Sequence, residues 1–216
     1  MTPELKSKLK LTFLLLITAL PVTMATLSFN SADNNDGSSA TSNKGTLINP
    51  PADISALAMH DVDNNPVFQT FEEVIAALPD DEEYVIQPWL MVYVNANECA
   101  DVCKERIHIL KQLHIALGKN TQRVRRYYLN ATDRAIAPDI AELFRNEYPS
   151  MGVAQSDKAL LSANLIEAGT DIDLSTQAYV ILIDPVGNVM MYYTDDQEAE
   201  DIMSDLETLL KYSSLG

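Results

Sequence analysis

The chain has 216 residues, 47% of them hydrophobic, and a formal net charge of −16. That size supports one ordinary domain with an appendage, and a core that needs no disulfide staples. Residues 1–30 hold Lys6, Lys8 and Lys10 against Glu4, a net +2, so the rest carries −18 and repels nucleic acid while steering cationic partners.

The N-terminus is basic and then apolar. Lys6, Lys8 and Lys10 precede a run that starts at Leu11 and continues to about Phe29. At about 1.5 Å per residue it reaches about 28 Å, close to a hydrocarbon core of about 30 Å. Lysines on that side place the N-terminus in the cytoplasm. Leu11–Leu20 followed by Thr23-Met24-Ala25 also fits a cleavable signal peptide. Residues 1–29 therefore read as a transmembrane anchor or a signal segment. Either reading puts the following chain in the periplasm or another extracytoplasmic space, where disulfides persist. Residues 30–43, NSADNNDGSSATSN, read as a flexible polar linker, and the domain runs over 44–216.

Within the domain, Gly45–Pro51 is an extended lead-in, its prolines forbidding a helix. Phe71–Leu78 is a short helix ended by Pro79. Tyr84–Gln87 and Trp89–Asn95 read as strands, the second apolar on both faces as a central strand must be. From Cys99 to Leu117, Ile107, Leu110, Leu113 and Leu117 recur at helical steps, and Gly118 takes the position glycine occupies after a helix. Arg123–Leu129 is a strand, and Pro138–Tyr148 a helix opened by Pro138 and stopped by Pro149. Gln177–Asp184 and Val189–Tyr193 form a hairpin around Pro185-Val-Gly-Asn188. Glu198–Tyr212 is a closing amphipathic helix. The order β-α-β-α-β-β-α predicts a thioredoxin-like α/β fold, a central mixed sheet flanked by helices.

The chemistry concentrates in Cys99 and Cys103, the only cysteines, placed where a buried strand passes into a helix. Inside one helix their Cβ atoms would stand about 5–6 Å apart, whereas a disulfide wants about 3.8 Å. Either Cys99 lies in the loop before the helix and the pair closes, or the two thiols pinch a soft metal. A structural disulfide or inert thiols are the bland alternative. His108 points about 140° around the helix from Cys103, and His114 lies about 16 Å along it, so neither completes a metal site. His60 sits in a loop, Met190 and Met191 are packing or thioether candidates, and the acidic run Asp195–Asp201 reads as a solvated helix start.

Three stretches resemble the Sco/SenC family of thioredoxin-like proteins that assemble the copper centre of cytochrome c oxidase. They are WLMVYVNANECADVC, the polar strand exit Asn130-Ala-Thr-Asp133 after RRYYLN, and DLSTQAYVILIDPVGNVMMYY. The resemblance spans about Gly45 to Leu210 and implies a membrane-tethered protein assisting cytochrome c oxidase assembly. Thiol–disulfide exchange at Cys99 and Cys103 is the implied chemistry. Its partners would be an oxidase subunit or other respiratory-chain assembly proteins, with the membrane reached through the N-terminal helix. The same cysteines are the candidate copper ligands, and copper is the one cofactor the resemblance suggests. Two departures stand against copper: Leu174 occupies the place of the family's histidine ligand, and Lys104 follows the second cysteine where the family tends to have proline. A Cu(I) chaperone and a docking protein without chemistry are the alternatives.

Overall fold

The computed structural model describes residues 42–61, 63–79, 86–132 and 134–213, with scattered positions between 10 and 26. The chain divides into two units, 1–42 and 43–216. Most of the expected N-terminal membrane segment and most of the linker lie outside the described residues. Among the described residues no helix is long and apolar enough to cross a membrane.

The second unit is a six-stranded mixed sheet flanked by helices. Its strands are β1 (Thr46–Asp53), β2 (Trp89–Asn95), β3 (Val124–Asn130), β4 (Met151–Gln155), β5 (Tyr179–Ile183) and β6 (Asn188–Thr194), in the spatial order β1-β6-β5-β2-β3-β4. β2, β3 and β4 run parallel, whereas β5 and β6 are antiparallel to their neighbours. The helices are α1 (Phe71–Ala77), α2 (Asp101–Ala116), α3 (Pro138–Glu147), α4 (Lys158–Glu167) and α5 (Ala199–Tyr212).

β2 is buried along its whole length. Its alternating side chains feed two separate core layers, because successive residues of a strand point to opposite faces. Trp89, Met91 and Tyr93 join Ile107, Leu110 and Leu113 of α2, Ile140 and Phe144 of α3, and Ile202 and Leu206 of α5. Leu90, Val92 and Val94 join Leu161 and Leu165 of α4, with Ile54 and Leu57 of a short 3-10 turn. Cys103 lies in the first layer and Leu174 in the second.

Several expectations need correction. The lead-in is a true edge strand, β1, paired antiparallel with β6 and interrupted in register around its prolines. Of the strand expected at Tyr84–Gln87, residues 84 and 85 lie outside the described residues, and 86–88 form no strand. β4 and α4, absent from the sequence reading, extend the parallel side of the sheet and cover the second layer. The hairpin is present, its turn held by the Asp184 carboxylate, which accepts the N–H groups of Val186 at 3.0 Å and Asn188 at 2.8 Å. Gly187 sits at φ +91° there, a conformation that side chains resist. Opposite Leu182 and Ile183 the β6 register skips Met190. That bulge lets Met190 and Met191 both lean on the first layer, so both methionines are packing residues.

Candidate functional site

α2 begins at Asp101, with Ala100 as its N-cap, so Cys99 stands in the loop and Cys103 in the first helical turn. This placement resolves the spacing problem. The two cysteines form a disulfide with a Cα–Cα distance of 5.1 Å. Cys103 falls in the same stripe as Arg106, Ile107, Leu110 and Leu113, the buried face of α2, and is 6% exposed. Cys99 is half-buried and packs against the rim of the same layer. The first turn of a long helix favours negative charge on sulfur, and Asp101 in that turn opposes it.

Cys99 opens on a cleft of about 450 Å³. The loop Ala96–Glu98 forms one wall, Tyr128 and Asn130 at the end of β3 lie alongside, and Arg134–Ala137 close the far side. Asn130 shapes that far side: its Nδ2 donates to the Arg134 carbonyl at 2.8 Å, while its Oδ1 accepts the Thr132 hydroxyl at 2.8 Å. The polar strand exit singled out in the sequence is thus a wall of the cleft.

Behind the disulfide, polar groups replace part of the apolar core. Asn95, buried at the end of β2, places its Nδ2 3.4 Å from Cys103 Sγ and 3.5 Å from the Tyr128 hydroxyl. One turn after Cys103, the Arg106 guanidinium donates to the Gln197 carbonyl at 3.0 Å and the Thr194 carbonyl at 3.3 Å. Its Nε stands 3.8 Å from Asp195 Oδ1. Asp195 therefore turns inward, unlike the solvated acid expected of the Asp195–Asp201 run. Burial pushes its carboxyl above the ordinary carboxylate range, and Arg106 pulls it part of the way back. Burial likewise drives the Tyr93 and Tyr128 phenols upward, so both stay protonated at neutral pH. Nothing in the sequence marked Asn95 or Arg106 as a buried polar group, and Asp195 stood only in an acidic run. The one available signal was an Asn closing an otherwise apolar strand next to a cysteine turn.

The donor set does not fit the three-ligand copper site of the resemblance. Among the described residues, no group of three or more His, Cys, Asp or Glu side chains is placed to share a metal ion. His108 contacts Gln112 and the Tyr148 hydroxyl. His114 Nε2 lies between the Thr121 and Val124 carbonyls at 3.0 and 2.7 Å, and burial lowers its pKa. His60 sits beside β4, its backbone bonded to Gln155 and its Nδ1 2.8 Å from the Ala58 carbonyl. Leu174 is 1% exposed in the layer across the sheet from both sulfurs.

A thioredoxin-like sheet that carries a Cys-x-x-x-Cys disulfide at the N-terminus of its main helix, open to a cleft, defines the class: a thioredoxin-like protein with a dithiol site. Residues 89–213 match the family described as the transmembrane-like, thioredoxin-like, C-terminal domain, and the chain belongs to it. No curated protein matches the sequence. Among solved structures, the copper-bound ScoI of Arabidopsis thaliana aligns with a TM-score of 0.46 at 12% identity, over 59% of this chain and 87% of its own. BsSco, a member of the Sco family of cytochrome c oxidase assembly proteins with a disulfide switch, aligns at 0.48 and 14%, over 80% and 98%. A thiol:disulfide interchange protein from Bacteroides sp. aligns at 0.45 and 13%, over 79% and 91%.

Proposed function

We propose that this protein carries out thiol–disulfide exchange at Cys99 and Cys103, in a domain held outside the cytoplasm by its N-terminal segment, in the service of cytochrome c oxidase assembly. The observation that carries the exchange is the asymmetry of the pair. Cys99 faces the cleft, where an incoming sulfur reaches it, while Cys103 lies beneath as the resolving partner. In the oxidising direction a substrate thiolate attacks Cys99 Sγ, and Cys103 departs with the electron pair of the broken S–S bond. The substrate's second thiolate then attacks its own sulfur in the mixed disulfide and releases Cys99. The substrate dithiol leaves oxidised and the protein leaves reduced. The membrane location and the oxidase target rest on the sequence resemblance and on the basic-then-apolar N-terminus.

The test has two arms. In vitro, dithiothreitol reduces the wild-type disulfide, Cys103→Ser traps a mixed disulfide through Cys99, and Cys99→Ser traps none. A disulfide that stays inert to the dithiol overturns the exchange reading. In cells lacking the protein, oxidase activity falls, and wild type restores it while the double Cys→Ser variant does not. Rescue by the double variant leaves a docking role, and undiminished oxidase activity in its absence removes the oxidase assignment.

A further inference from the structure

Asn95 is 3% exposed, and three contacts fix its side chain. Its Oδ1 accepts the Asn97 N–H at 3.0 Å. An N–H cannot be met by the amide's own NH2 group, so this contact settles which end of the amide is which. The two Nδ2 protons are then divided between Cys103 Sγ at 3.4 Å and the Tyr128 hydroxyl at 3.5 Å. In the disulfide that sulfur is a weak acceptor. As a thiolate it is charged, and the same N–H then makes a shorter and stronger bond. Cys103 is 6% exposed, so water supplies little of that solvation. The cation one turn further along the helix, Arg106, is already engaged with the carbonyls of Thr194 and Gln197 and with Asp195.

Resting on the exchange reading above, we propose that Asn95 is the hydrogen-bond donor that receives the departing Cys103 sulfur. An incoming thiolate forms a new S–S bond at Cys99, the Cys99–Cys103 bond breaks, and its electron pair goes to Cys103 Sγ, on which the Nδ2–H is already aimed. A contact that strengthens as the charge develops lowers the barrier and favours the reduced state, the logic of a preorganised oxyanion hole applied to sulfur. The reverse reaction uses it too: Asn95 holds the Cys103 thiolate beside Cys99 until a mixed disulfide needs resolving.

The experiment measures the equilibrium constant and the rate of reduction of the oxidised full chain by dithiothreitol at fixed pH. Asn95→Leu, of the same branched shape but without a donor, lowers both about tenfold, the lower end of what a hydrogen bond to a charged group is worth. Asn95→Asp keeps the acceptor for Asn97 and sets a carboxylate against the sulfur, so both values fall further. A folded Asn95→Leu variant within twofold of wild type overturns the proposal. Should the Asn95 variants fail to fold, the wild-type side-chain amide resonances decide. One Nδ2 proton moves downfield on reduction and its geminal partner stays, whereas an unmoved pair refutes the role. A wild-type disulfide inert to dithiothreitol sinks the exchange reading itself. A readily reduced wild type matched by its Asn95 variants sinks the role of Asn95 alone.

Discussion

Replacing Arg106 by methionine keeps the aliphatic stem against the first core layer and removes the guanidinium. The Gln197 and Thr194 carbonyls lose their donors, and Asp195 loses the cation 3.8 Å away. The Arg106 and Asp195 side chains are 8% and 26% exposed, so solvent replaces little of what is lost. Breaking one partner of a buried pair costs about 3–5 kcal/mol. Asp195 keeps some solvent and a main-chain N–H from Ala178, which places the expected loss near the lower end, about 3 kcal/mol. The sign of the pH dependence follows from Asp195. Its carboxyl binds a proton more tightly folded than unfolded. The stability it contributes is therefore complete below the ordinary carboxylate value and is lost as pH rises through the raised folded value. Without Arg106 that value rises further, so the deficit of the variant is largest at neutral pH and shrinks towards about pH 4. Urea unfolding reads it through the fluorescence of Trp89, the only tryptophan and 4% exposed. Adding Asp195→Asn to Arg106→Met recovers part of the loss at neutral pH. A loss under about 1 kcal/mol, or one equal at both pH values, refutes the buried-pair reasoning.

Leu174→His binds no Cu(II) in a copper titration and loses about 3 kcal/mol of stability, because an imidazole replaces a packed leucine across the sheet from the sulfurs. Tight copper binding by that variant would show that position 174 reaches the cysteines. Gly152→Ala places a Cβ into the ring of Tyr127, its partner across β3 and β4, and costs about 1–3 kcal/mol in urea unfolding. An unchanged midpoint would mean that the Tyr127 ring swings aside freely. His114 titrates by NMR below the ordinary histidine value, because burial resists its charge. Its depressed pKa supports the fold above the unfolded value of about 6.5, and that support is lost as pH falls through the lowered one. A His114 titration at or above the ordinary value would contradict the burial.

The parts of the fold written in strong patterns were legible in the sequence: the apolar run Trp89–Val94 of β2, the Ile107-Leu110-Leu113 stripe of α2, and the Asp184–Asn188 turn. β4 is only five residues, with Gly152 where a side chain would mark the alternation. In α4, Leu161 and Leu165 are buried while Leu160 and Ile166 face solvent, so its apolar residues surround the helix and outline no single face. β1 escaped because strand pairing across prolines depends on a partner far along the chain, β6. The sulfur pair was visible from spacing alone, although its closure depended on where α2 starts, and helix ends are the least readable feature of a sequence. The groups behind it stayed hidden. Asn95 ends β2, Arg106 lies on α2 and Asp195 in the turn after β6, and only folding sets Asn95 against Cys103 and Arg106 against Asp195.

The sheet is also a partition. Cys99, Cys103, Asn95, Tyr128, Arg106 and Asp195 all belong to one side of it, while the leucines and isoleucines around Leu174 fill the other. Volume-preserving changes on that far side touch neither the disulfide nor its polar neighbours. An engineer wanting a new binding cavity in this scaffold would carve it there and leave the half that holds the disulfide as it stands.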